Sequence, residues 1–123
     1  MHRSRLAGFI IDSPSNPQAA AEFWGAALGM PPAEAHGDRY IRFDASKRDL
    51  TIEVQRVDHA ARVHVDIEAD DVEAEVRRLE KLGAKRIGQV KTWWVLEAPT
   101  GQRFCVVRAR DLTNAAGVNV WEE

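Results

Sequence analysis

HVDIEADDVEAEVRRLEKLGAKRI, residues 64–87, carries the reading that decides the fold. Across Arg62–Ala69 apolar and polar residues alternate, which puts Val63, Val65 and Ile67 on one face of a strand and His64, Asp66 and Glu68 on the other. Asp70, with Glu73 three residues later, forms a capping-box-like helix start. Val72, Val76, Leu79 and Leu82 then recur at helical spacing until Gly83 stops the helix. Three short strand candidates follow, Lys85–Gly88, Thr92–Glu97 and Arg103–Ala109, with Pro99-Thr100-Gly101 as the last turn.

Outward from this stretch, the first half of the chain repeats the order. Arg5–Asp12 is a short apolar run bounded by turn chemistry, as a buried strand should be. Asn16 is placed to cap a helix with Pro17 at its first position. Ala20, Phe23, Trp24, Ala27 and Leu28 supply the apolar stripe, and Gly29 closes the helix. Strand candidates follow at Pro32–Ala35, Tyr40–Asp44 and Leu50–Gln55, separated by His36-Gly37-Asp38 and by residues 45–49. Both halves thus read strand, acidic residue, capped helix, Leu-Gly and three strands. A repeat of this length is an architectural signal. It predicts an α+β domain over residues 1–123, made of two βαβββ modules (about 5–57 and 60–110) with a tail at 111–123. The two sheets are expected to form a cup-shaped mixed β-sheet with helices on the outside.

Composition narrows the function classes. At 123 residues, 45% apolar and 29% charged, the chain fits one ordinary globular core. A net charge of −2 gives no basic footprint for nucleic acid and no attraction to a membrane surface. Cys105 is the single cysteine, so no intrachain disulfide forms and a reducing, cytoplasmic setting is expected. No apolar run is long enough to span a bilayer, and the start has no secretory h-region. His2-Arg3-Ser4-Arg5 reads as a short solvated end. There is no phosphate-binding glycine loop, serine elbow, cysteine pair or His-Glu-x-x-His helix, so acyl transfer, nucleotide-driven work and disulfide exchange lose support.

Longer motifs carry a family resemblance. LAGFIIDSPSNPQAAAEFWGAALGM (6–30), the stretch 64–87 and WWVLEAPTGQRFCVV (93–107) together resemble the glyoxalase / bleomycin-resistance / extradiol-dioxygenase (vicinal oxygen chelate) superfamily. The resemblance covers most of residues 5–109 and rests on the order of the motifs. It implies metal ligands on the first and last strand of each module. Carried over residue by residue, these slots fall on Gly8, Glu53, His64 and Cys105. Glu53 and His64 fit the pattern. Gly8 has no side chain, and Cys105 stands where relatives usually carry glutamate. The set that remains is an oxygen, a nitrogen and a sulfur, which favours zinc among divalent ions. Ala98, where relatives usually have aspartate, affects the turn more than the chemistry.

The family strand phase puts Ile10, Thr51, Glu53, His64, Asp66, Arg103 and Cys105 on the cup side, with Ile10, Asp66, Arg103 and Trp94 expected to contact a ligand. Asp66 and Glu68 beside His64 can raise the imidazole's basicity, although solvated surface charge explains them equally well. Trp93 and Trp94 point to opposite faces, so only one can be a stacking platform. Trp24 is expected in the core, Trp121 either packs back on the body or sits at a contact, and His36 and His59 fall in turns without partners. The resemblance implies a protein that binds a small organic molecule between its modules. It is either a metal-dependent lyase, isomerase or dioxygenase using Glu53 and His64, or a metal-free ligand-sequestering protein of the bleomycin-resistance type. A purely structural or regulatory module is the third reading. A homodimer is expected, because relatives pair modules across subunits and bare sheet edges invite pairing.

Overall fold

A computed structural model describes residues 1–45, 49–109 and 111–122. The described elements run β1 (His2–Ser13), α1 (Pro17–Leu28), β2 (Pro32–His36), β3 (Tyr40–Phe43), β4 (Thr51–Arg56), β5 (Arg62–Ala69), α2 (Val72–Lys81), β6 (Lys85–Val90), β7 (Trp93–Glu97), β8 (Arg103–Arg108) and β9 (Asn119–Trp121). The order βαβββ occurs twice, with one short strand added at the end, and the strands pair in both senses. The fold is α+β. The expected turn at 45–49 lies partly outside the described residues, which omit 46–48. No helix among the described residues is long and apolar enough to cross a membrane. Two compact units divide the chain, Gly8–His64 and Met1–Ala7 with Val65–Glu123.

In the unit Gly8–His64, the second half of β1 runs parallel to β4 from Gly8↔Thr51 to Ser13↔Arg56, and β4, β3 and β2 continue antiparallel. Asn16 caps α1 as expected, its Oδ1 accepting from the backbone of Gln18 (2.8 Å) and Ala19 (3.3 Å). Gly29 ends the helix in the left-handed conformation. The buried face differs from the expected stripe. Pro17, Ala21 and Gly25 are buried, whereas Phe23 and Leu28 are exposed. Close approach is the reason, since a Cβ on Gly25 would stand 2.8 Å from the Met30 carbonyl oxygen. Small residues therefore take the contact, and Trp24 packs at the rim of a core of Ile11, Ala21, Met30, Ile41, Phe43, Ile52 and Val54.

In the other unit, β5 runs parallel to β8, and β8, β7 and β6 continue antiparallel. Helix α2 is capped by Asp71, one residue later than the sequence pattern implied, its Oδ1 accepting from Ala74 N at 3.0 Å. Asp70 is drawn away because its carboxylate accepts from Arg3 N at 2.8 Å. Val76 and Leu79 join Ala69, Leu96, Phe104 and Val106 in the core, with Ile67 against them. Leu82 is exposed, which corrects the stripe expected of it, and Val63 and Val65 are exposed on the strand face expected to hold them with Ile67.

The N-terminus is not a solvated end. His2, Ser4 and Arg5 are buried, because β9 returns to pair with β1 from His2↔Trp121 to Ser4↔Asn119. His2 Nε2 lies 2.8 Å from Glu75 Oε1, and Arg78 donates to both Glu75 oxygens at 2.8 Å. Trp121 Nε1 donates to Ser4 Oγ at 2.9 Å, and the Arg78 guanidinium lies 3.8 Å from the Trp121 ring centre. Trp121 thus packs back on the body. Burial pushes the Glu75 carboxyl upward, but hydrogen bonds from Arg78, His2 and Ser4 outweigh it and leave the pKa below its ordinary value.

Candidate functional site

Strand alternation sorts the side chains. In the unit Gly8–His64, Ile11, Ile52 and Val54 pack with Ala21 of α1, so Ile10, Asp12, Glu53 and Gln55 stand on the other face of β1 and β4. In the second unit, Ile67, Leu96, Phe104 and Val106 pack with α2, so Asp66, Trp93, Val95, Arg103 and Cys105 stand on the other face. Trp94 joins the α2 side, against the core and 4.8 Å beneath the Arg86 guanidinium. Trp93 is therefore the tryptophan that shares a face with Cys105.

His64 and Asp66 are two residues apart on β5, and Asp66 is the register partner of Cys105 on β8. One ligand atom from each of these three side chains lies within 4.8 Å of the others, and all three are half-buried. Around a tetrahedral zinc with bonds of about 2.0–2.3 Å, neighbouring donor atoms stand about 3.3–3.8 Å apart. An imidazole nitrogen, a carboxylate oxygen and a thiolate are also the donors that zinc accepts. The donor set fits such an ion.

His64 Nδ1 lies 2.8 Å from Asp12 Oδ2, and Arg62 Nε reaches the same oxygen at 3.4 Å. The Asp12 side chain is 1% exposed. Asp12 was not among the residues drawn from the sequence. The signal was present, because the alternation that selects Ile10 selects the residue two places on. Glu68, expected as a neighbour of His64, instead accepts from Arg5 Nε at 2.8 Å.

The other sequence-derived positions separate. Glu53 accepts from Arg42 Nε at 3.0 Å and does not belong to the His64–Asp66–Cys105 group. Gly8 carries no ligand for a geometric reason: a Cβ there would lie 1.7 Å from the Thr51 carbonyl oxygen, at φ +156°. His36 ends β2 and pairs with Glu34 at 3.2 Å, which corrects its reading as unpartnered, and His59 Nδ1 lies 2.8 Å from the Ala60 carbonyl oxygen. Both are exposed. Two surface hollows of about 260 and 270 Å³ lie elsewhere, one beside Asn16 and Arg56, the other beside Leu6 and Ile67. Neither is lined by His64 or Cys105, and both are open grooves, so the donor cluster is the better guide to chemistry.

Comparison with known proteins agrees with this architecture. A family model described as a glyoxalase-like domain matches residues 8–107. No curated protein matches the chain. Among solved structures, a member of the glyoxalase/bleomycin resistance protein/dioxygenase superfamily from Vibrio splendidus 12B01 superposes with TM-score 0.57 at 10% identity, over 88% of this chain and 98% of that one. A Mn(II)-bound glyoxalase from Novosphingobium aromaticivorans gives TM-score 0.57 at 20% identity, over 90% of this chain and 44% of that one, so this chain spans under half of it. An NAD-dependent benzaldehyde dehydrogenase from Legionella pneumophila gives TM-score 0.64 at 15% identity, over 83% of this chain and 97% of that one. At these identities the structures share the fold alone. With the family model spanning most of the sequence, the chain belongs to the glyoxalase-like domain family.

Proposed function

We propose that this protein binds a divalent cation, zinc being the best chemical match, through His64, Asp66 and Cys105, and acts there on a small organic molecule. The approach of those three donors within 4.8 Å carries the reading. Bound there, the ion would act as a Lewis acid on substrate oxygens. The chain's own residues do the rest. Asp12 holds the His64 ring, and Trp93 and Arg103, on the same strand faces as Cys105, offer a stacking surface and a cation for orienting an oxygen-bearing substrate. The reaction class is that of a lyase, isomerase or dioxygenase.

One observation favours a second reading. The slot at Gly8 is closed by the Thr51 backbone, so this chain lacks one family ligand and cannot regain it by side-chain change. A metal-free protein that sequesters an organic ligand, as bleomycin-resistance members do, would not need it. Metal analysis of untagged protein prepared without chelator, repeated on His64→Ala, separates the two. Stoichiometric metal that disappears in the variant supports the first reading. Metal absent from both, with thermal stabilisation by a small organic ligand, supports the second.

A further inference from the structure

We propose that Asp12 is the positioning residue of His64: its carboxylate fixes the imidazole as the tautomer protonated on Nδ1 and thereby presents Nε2 as the metal-binding nitrogen. The metal-binding half of this inference rests on the function proposed above; the tautomer half does not.

The argument starts from hydrogen-bond chemistry. An ionised carboxylate only accepts, so the 2.8 Å contact between Asp12 Oδ2 and His64 Nδ1 requires the proton to sit on Nδ1. Neutral imidazole has one N–H, so the lone pair is then on Nε2, where a cation is bound. A carboxylate behind a ligating histidine also raises its basicity and restricts ring rotation.

Burial makes the contact more than incidental. The Asp12 side chain is 1% exposed and that of His64 is 11% exposed, so water competes weakly for either. Arg62 Nε lies 3.4 Å from the same carboxylate on a side chain that is 46% exposed, which makes His64 the better-placed donor. Among the described residues, Asp12 Oδ1 is buried without a hydrogen-bond partner. A buried carboxylate with one unsatisfied oxygen costs stability. Packing therefore does not explain an aspartate here, whereas orientation of His64 does.

The test combines imidazole ¹⁵N NMR on metal-free protein with Zn(II) titration of wild type and Asp12→Asn. The asparagine is close to isosteric, and its amide can donate to Nδ1. Wild type should carry the His64 proton on Nδ1. Asp12→Asn should move it to Nε2 and weaken Zn(II) binding about 10–100-fold. A wild-type proton on Nε2 overturns the proposal, as does an Asp12→Asn protein with tautomer and affinity both unchanged. If the tautomer switches but wild type binds no Zn(II), the positioning role stands and the metal reading falls. If Asp12→Asn does not fold, the wild-type spectrum alone decides the tautomer.

Discussion

Replacing Gly8 with alanine should destabilise the fold far more than adding one methyl group to a strand ordinarily does. A Cβ at this position would stand 1.7 Å from the Thr51 oxygen, 2.7 Å from its carbonyl carbon and 2.8 Å from its nitrogen, where 3.4–4 Å is ordinary contact. The obstruction is backbone, so no side chain can swing aside. β1 must move from β4 by roughly 1.5–2 Å, enough to break two or three ladder hydrogen bonds at about 1 kcal/mol each. Overpacking adds about 1–3 kcal/mol, for a total of about 3–6 kcal/mol. That is a large share of the about 5–15 kcal/mol that holds a domain together. Gly88 on β6 is the internal control, because nothing lies within 4 Å of its added Cβ. Gly88→Ala should stay within about 0.5 kcal/mol of wild type. Urea unfolding reads both: with a slope of about 2 kcal/mol/M, Gly8→Ala should lower the midpoint by about 1.5–3 M. Equal midpoints for Gly8→Ala and Gly88→Ala would refute the reasoning. The same geometry predicts that Gly8→Glu unfolds the protein rather than adding a carboxylate ligand there.

Glu75→Ala should cost about 3–5 kcal/mol in urea unfolding, because it removes the buried His2 contact and both Arg78 hydrogen bonds. Because the folded Glu75 pKa is depressed, its contribution is full above the ordinary value of 4.5 and is lost as pH falls through the lower folded pKa. The stability-versus-pH curve of Glu75→Gln should therefore be flatter than wild type below about pH 4.5 and shifted down above it. Trp121→Ala removes the Arg78 stacking and the bond to Ser4, about 1–2 kcal/mol in all, and hydrogen exchange at 119–121 should accelerate with it. Trp94→Ala should destabilise by roughly 2–4 kcal/mol through the α2 core, whereas Trp93→Ala should leave unfolding nearly unchanged and weaken binding of any aromatic ligand, measured by fluorescence.

The repeat made the fold legible. Local signals such as Asn16-Pro17, Gly29 and the alternating run Arg62–Ala69 each act within a few residues, and their doubling fixed the order of elements. What escaped was set by distant neighbours. Phe23 looks like core by spacing, yet the nearness of Met30 to Gly25 turns the small residues of α1 inward. His2, Ser4 and Arg5 look like a charged end, and only the return of β9 buries them. The site shows the same division. His64 and Cys105 enter the candidate site through the family resemblance, which offered Glu53 as their partner, and Asp66 was expected there only as a ligand contact. Asp12 meets His64 across 52 positions of sequence, a contact that only tertiary structure creates.

The central claim is that His64, Asp66 and Cys105 form one cation site. Co(II) titration of the metal-free protein, followed by visible and near-ultraviolet absorption, tests it most directly, because tetrahedral coordination and thiolate ligation each leave a band. Saturation at one Co(II) per chain with both bands present, the thiolate band lost in Cys105→Ser and all binding lost in His64→Ala, is the expected result. A wild-type spectrum that shows no protein-bound Co(II), or a thiolate band unchanged in Cys105→Ser, would contradict the claim.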